Sequence, residues 1–327
     1  MNALVQLEQR ALGEPLAPEI ERARRYVAAA QAPATERAYR IGWNDFCAWC
    51  AFRRTEPLPA HPAAVAMYLS FLADRGLAAA SIGQRAAAIA HRHRKAGHEA
   101  PTTNPVVQDA LKGIRRTVGA APRRKSAATA DRIRLMLDAC PHTMIGIRDR
   151  ALLALGFAGA LRRSELVALQ VSDLEEVPDG YRVTIRRSKT DQTGQGHEIV
   201  IPRGLRIRPV AAVQTWLQAA CIEDGCLFRA IHRGGHVRAW GLPGHAVAKI
   251  VKQYAVGAGL DPAEFSGHSL RAGFVTSAAE TGASILKIQE TSRHKSIDVL
   301  ATYVRRVDLF KDHAGAAFLV AMLAVFL

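Results

Sequence analysis

Apolar residues recur every three or four positions through most of residues 35–118, the spacing of amphipathic helices. Thr35 is placed to cap a helix over Glu36–Ala51 whose inner face carries Tyr39, Trp43, Phe46 and Cys50. Pro57, Pro59 and Pro62 interrupt the pattern, and it resumes over His61–Asp74 through Val65, Tyr68, Leu69 and Leu72, ending at Gly76. Ser81 opens a third predicted helix, Ile82–Lys95, and Gly97 stops it; Val106–Val118 makes a fourth.

The segment Gly119–Ser126 breaks this regularity with small residues, Pro122 and three consecutive cations, Arg123, Arg124 and Lys125. It divides a helical domain (1–118) from a second domain (127–327), with 119–126 as a basic linker. In the second domain Asp131–Ala139, Ile147–Ala158 and Ser164–Leu169 read as helices. Tyr181–Arg187 alternates apolar and polar residues as a half-buried strand does, and Ile199–Ile201 can return antiparallel to it. The polar connection Ser188–Gly196 places Lys189 at the exposed end of that hairpin, and the pattern beyond reads as helical to the end. The expected fold class is therefore mainly α: a four- to five-helix N-terminal domain, then a mostly helical domain with a small antiparallel β-sheet.

The chain has 327 residues, 49% hydrophobic, enough to fill the cores of two globular domains. Its 44 Lys and Arg against 29 Asp and Glu give a net charge of +15, which points to a polyanionic partner without choosing among DNA, RNA and an anionic membrane. Five scattered cysteines make no disulfide framework and suit a reducing cytoplasm. Cys47 and Cys50 have CxxC spacing, but no second ligand pair follows, and both fall on one helix face, so packed thiols are expected there. The first residues, with Glu8, Glu14 and Glu19, lack the apolar core of a signal peptide. The uncharged run Ala314–Leu327 is shorter than the ~20 residues that span a bilayer, so a buried or partner-docking helix is expected.

Four short segments carry the candidate chemistry: Leu161-Arg162-Arg163-Ser164-Glu165-Leu166, His268-Ser269-Leu270-Arg271, Arg293-His294-Lys295-Ser296 and Ala301-Thr302-Tyr303-Val304-Arg305-Arg306. Two arginines, two histidines and a tyrosine suffice for attack on a phosphodiester. Arginine binds phosphate through its fork and stays charged. A tyrosine nucleophile, with an ordinary pKa of ~10, needs a base, and the leaving oxygen needs an acid. Each of these residues taken singly also fits a bland role, as a solvated cation, a structural histidine or a half-buried packing tyrosine.

Together with Ser188-Lys189-Thr190-Asp191-Gln192, these segments resemble the tyrosine recombinase (phage integrase) family in order and separation: arginine, hairpin lysine, HxxR, histidine, then tyrosine nine residues later. The first domain resembles the helical core-binding domain of the Cre-like members at Trp43–Cys50 and Leu69–Gly76, so the likeness covers roughly residues 30–312. The resemblance implies that Arg162 and Arg271 clamp the scissile phosphate, with Glu165 holding the neighbourhood of Arg162. It gives Lys189 the leaving 5′-oxygen, His268 the tyrosine's proton, His294 a phosphate oxygen, and Tyr303 the attack that forms a 3′-phosphotyrosyl link, without metal, ATP or other cofactor. Arg293 departs from the pattern, standing where members commonly have glycine. If that glycine serves a turn with φ > 0, Arg293 strains it; if not, Arg293 adds a cation near phosphate.

A DNA partner would be held mainly through phosphates, with the two basic domains closing around the duplex. Sequence readout needs a helix in a major groove, and the candidates are Thr35, Arg37 and Arg40 on one helix and Gln84, Arg85, Arg92 and Arg94 on another, with Arg123, Arg124 and Lys125 in the linker joining the two domains of the clamp. The family resemblance further implies a homotetramer on two duplexes. Ala314–Leu327 would dock into a neighbouring subunit or pack on its own domain. Competing readings are a type IB topoisomerase-like enzyme and a catalytically impaired DNA-binding protein of the same fold.

Overall fold

The computed structural model describes residues 17–30, 32–119, 125–186 and 196–307. The chain divides into two compact units, residues 1–123 and 124–327. Lys189, Arg123, Arg124 and the apolar tail 314–327 lie outside the described residues.

Among the described residues the first unit contains five α-helices: α1 (Ala17–Ala29), α2 (Pro33–Arg53), α3 (Pro62–Asp74), α4 (Ala79–Lys95) and α5 (Pro105–Val118). The expected apolar faces make its core, where Phe46, Tyr68, Leu69, Ile82, Ile89 and Val107 are all but fully buried. Two starts differ from expectation. Helix α2 begins at Pro33 with Ala32 as its N-cap, so Thr35 sits inside the first turn; proline's fixed φ and missing N–H suit that first helical position. Helix α4 begins at Ala79, two residues before Ser81. Helices α2 and α4 pack closely at Gly42, where an added Cβ would lie 2.9 Å from that of Ala88.

The second unit is built around α7 (Met144–Ala158), buried almost throughout between α6 (Ala130–Asp138), α9 (Pro209–Ala219) and α11 (Ser269–Glu280). A three-stranded antiparallel sheet, β1 (Leu174–Val177), β2 (Gly180–Ile185) and β3 (His197–Pro202), lies beside it. The predicted hairpin has its register at Tyr181↔Ile201 and Val183↔Ile199, with all four side chains buried. Strand β1 was not expected, and neither was a second two-stranded sheet, β4 (Arg229–Ile231) with β5 (Val237–Gly241). The turn between these last strands is made by Gly234-Gly235, with Gly235 at φ 83°. The chain beyond Ile201 is therefore not helical throughout, contrary to expectation: strands of three and five residues are too short for their alternation to show in the sequence.

Among the described residues four more helices complete the second unit: α8 (Arg163–Ala168), α10 (Gly244–Gly257), and, after α11, the pair α12 (Ile285–Ser292) and α13 (Ile297–Val307). A separate small core of Val275, Ala279, Ile288 and Leu300 fastens α11, α12 and α13 together, and Tyr303 packs against it.

Candidate active site

Arg162, His268, Arg271, His294 and Tyr303 line one cleft of about 1230 Å³ in the second unit. They come from the start of α8, the start of α11, the turn after α12, and α13. Lys125, Arg132, Thr276, Glu280, Lys295 and Ser296 share the same walls, and of these only Lys125 was singled out from sequence. Lys125 donates from Nζ to the Ala263 carbonyl at 2.7 Å.

Glu165 does not face the cleft but lies beneath it, with 1% of its side chain exposed. Its Oε1 accepts from Arg162 Nη1 at 2.6 Å, while Oε2 accepts the Arg162 backbone N–H at 2.9 Å. That second bond satisfies the N-cap of α8. The carboxylate thus fixes Arg162 by both side chain and backbone. Burial alone would raise the Glu165 pKa, but Arg293 and Arg162 outweigh it and hold the carboxylate below its ordinary range.

Arg271 is 4% exposed and donates from Nη1 to the Ala160 carbonyl at 2.8 Å. Ala160 adopts φ 46° just past the end of α7, where unpaired carbonyls favour a cation. The second terminal nitrogen of Arg271 is buried without a hydrogen-bond partner among the described residues. Burial, followed by the fields of Arg162 and Arg293, pushes this guanidinium down to about 9, still charged at neutral pH. A buried cation with an unused donor favours an anionic oxygen.

His294 shares a hydrogen bond between Nδ1 and Ser292 Oγ at 2.8 Å, and its carbonyl accepts from Gln289 Nε2 at 3.0 Å. Burial first, then Arg271 and Arg162, lowers its pKa to about 4, so the imidazole is neutral at pH 7. Ser292, fully buried two residues before the histidine, is a fixing contact that no motif announced. The His268 side chain is exposed at the mouth of the cleft, and its backbone N–H donates to Ser266 Oγ at 3.2 Å.

Arg293 occupies the turn that follows α12 with φ 54°, so the position does require the left-handed region. The cation itself turns inward, away from the role of an extra phosphate ligand: Nη2 donates to Glu165 Oε2 at 2.7 Å.

In the first unit, Thr35, Arg37, Arg40, Gln84 and Arg94 are exposed. Arg85 is partly buried and pairs with Asp45 at 3.5 Å, and Arg92 lies 5.8 Å from the Trp43 ring centroid.

A cleft with two buried-side arginines, two histidines and a tyrosine, on a mainly α fold with small antiparallel sheets, defines a tyrosine recombinase-like protein. The model of the phage integrase family matches residues 127–308, and the chain belongs to that family, whose members cleave and rejoin DNA. An integrase/recombinase XerD homologue of Selenomonas ruminantium is 39% identical over 299 residues, covering 90% of this chain and 87% of the relative. Recombinase Cre of Escherichia phage P1 is 26% identical over 286 residues, 81% of this chain and 82% of Cre. Among solved structures, a λ integrase dimer bound to a COC′ core site has the same fold, with TM-score 0.59 and 19% identity over 92% of this chain and 84% of that one. No described helix is long and apolar enough to cross a membrane.

Proposed function

We propose that this chain is a site-specific DNA recombinase that breaks and rejoins strands through a 3′-phosphotyrosyl intermediate. The observation that carries this reading is the convergence of Arg162, His268, Arg271, His294 and Tyr303, from four separate elements, on one cleft. Arg162 and Arg271 clamp the scissile phosphate and stabilise the charge that grows on its oxygens, where each lost donor costs about 3–4 kcal/mol. The Tyr303 oxygen forms the new bond to phosphorus as the bond to the 5′-oxygen breaks. His268 takes the phenolic proton, and Lys189 supplies one to the leaving 5′-oxygen. His294, neutral and fixed by Ser292, donates to a non-bridging phosphate oxygen. The phosphotyrosyl bond conserves the energy of the original linkage, so attack by a 5′-hydroxyl reseals the strand without ATP. The arginines bring the positive charge that a metal supplies in other phosphoryl-transfer sites.

Double-stranded DNA is the proposed partner, held in part through the exposed Thr35, Arg37, Arg40, Gln84 and Arg94 of the first unit, with Arg85 and Arg92 beside them. The linker cations Arg123, Arg124 and Lys125 add phosphate contacts. Strand exchange between two duplexes calls for four protomers, with the tail 314–327 as the proposed interlock. The four-protomer assembly has a parallel in λ integrase, solved as a tetramer bound to a Holliday junction, with TM-score 0.56 and 20% identity over 91% of this chain and 80% of that one.

Incubation with nicked duplexes cut from the DNA flanking the gene tests the reading. A covalent protein–DNA adduct on a denaturing gel, undiminished by EDTA, is expected. Loss of the adduct with EDTA would contradict the metal-free mechanism, and no adduct on any flanking duplex would favour a binding-only protein.

A further inference from the structure

Arg293 and Glu165 stand 128 residues apart in the sequence, yet their side chains form a buried ion pair. Only 7% of the Arg293 side chain is exposed. Its Nη1 donates to the Gly159 carbonyl at 3.4 Å and to the Thr291 carbonyl at 3.1 Å. Its own carbonyl accepts from Arg162 Nη2 at 3.4 Å. Gly159 directly precedes Ala160, whose carbonyl holds Arg271. One residue therefore bonds Glu165, which holds Arg162, and the residue next to the one that holds Arg271, and is covalently joined to His294.

The charge balance makes the same connection. Glu165 beneath the cleft would cancel Arg162 if it faced that arginine alone. With Arg293 on its other oxygen, the carboxylate is shared by two guanidinia. Arg162, Arg271, Arg293 and Glu165 then carry two net positive charges, and removal of Arg293 leaves one. Because Arg271, Arg293 and Glu165 are buried, that difference acts on a bound dianion-like transition state with little screening.

We propose that Arg293 is a positioning residue, a strut that locks the segment bearing His294 and Tyr303 onto the Arg162–Arg271 cradle and offsets Glu165 so that the charge of Arg162 remains available to phosphate. The proposal rests on the reading of this cleft as a phosphodiester site. It also accounts for an L-residue at φ 54°: the side-chain contacts retain a conformation that glycine would adopt without strain.

Arg293→Gly removes the strut while easing the backbone and leaves Glu165 paired with Arg162, and Arg293→Lys keeps the charge but not the fork. Two readouts are needed. In single-turnover cleavage of a nicked duplex at saturating DNA, Arg293→Gly falls roughly tenfold to a hundredfold, as for a small misplacement of reacting groups, with Arg293→Lys in between. In the DNA-free protein, the NMR titration of the His294 ring moves upward in Arg293→Gly, where one neighbouring cation is gone, and stays low in Arg293→Lys. A wild-type cleavage rate in Arg293→Gly overturns the strut. If the wild type itself forms no adduct, the phosphodiester reading fails, and an unmoved His294 titration in Arg293→Gly then overturns the strut independently.

Discussion

Glu165 receives the Arg162 side chain at 2.6 Å on one oxygen and the Arg162 backbone N–H at 2.9 Å on the other. A single buried carboxylate thus sets both the start of α8 and the aim of its arginine. Glu165→Gln preserves shape but leaves the Arg162 and Arg293 guanidinia without their counter-charge. Breaking a buried pair in this way costs about 3–5 kcal/mol. Urea denaturation at pH 7 should show that loss, and a midpoint unchanged from wild type would contradict it. Because the folded Glu165 pKa is depressed, its contribution is present above the ordinary 4.5 and is lost as pH falls through the folded value. That acid-side loss should vanish in Glu165→Gln.

His294 is shifted in the same direction and likewise loses stability in acid, but here folding favours the neutral form. Its folded pKa lies near 4 against an ordinary 6.5, so the neutral ring is favoured by folding. Its contribution is complete above about pH 6.5 and declines as pH falls toward 4, a window above that of Glu165. Stability measured from pH 7.5 to 4.5 should slope downward in wild type and flatten in His294→Asn. Equal slopes in the two proteins would show that the ring is not held neutral.

Gly273, two residues after Arg271 in α11, lies where an added Cβ would collide with the Ala128 carbonyl oxygen. Ala128 N–H in turn donates to the Ser269 carbonyl at 3.0 Å, so the chain entering the second unit is laid directly on this helix. Gly273→Ala should destabilise the second unit by about 1–3 kcal/mol through overpacking. Thermal unfolding checks this, and a wild-type midpoint would mean that the contact yields freely.

Much of this architecture was legible from pattern. Helices α2 to α5 follow the spacing of Trp43, Phe46, Tyr68, Leu69, Ile82 and Ile89, because each face had to be buried against another helix. The β2–β3 register follows from the alternation of Tyr181, Val183 and Ile185. The catalytic candidates were legible as a set because their order and separations match a family, and five of the seven line one cleft. What could not be read is the support beneath them. The inward turn of Arg293, the Ala160 carbonyl under Arg271 and the Ser292 hydroxyl on His294 are settled by tertiary packing, to which no local periodicity corresponds.

Arg37 and Arg40 are exposed on α2, whereas Arg85 is tied to Asp45. Replacing Arg37 and Arg40 by alanine should weaken DNA binding and reduce the slope of log K against log salt by about one per lost phosphate contact. An unchanged slope would remove those residues from the phosphate interface. Arg85→Ala should instead act chiefly on the stability of the first unit.

The central claim is that Tyr303 is the nucleophile. Tyr303→Phe removes only the hydroxyl, leaving the ring to pack on Val275, Ala279, Ile288 and Leu300. On a nicked duplex that the wild type converts to a covalent 3′-linked adduct, Tyr303→Phe should bind with unchanged affinity and give no adduct on a denaturing gel. An adduct that persists in Tyr303→Phe would contradict the account.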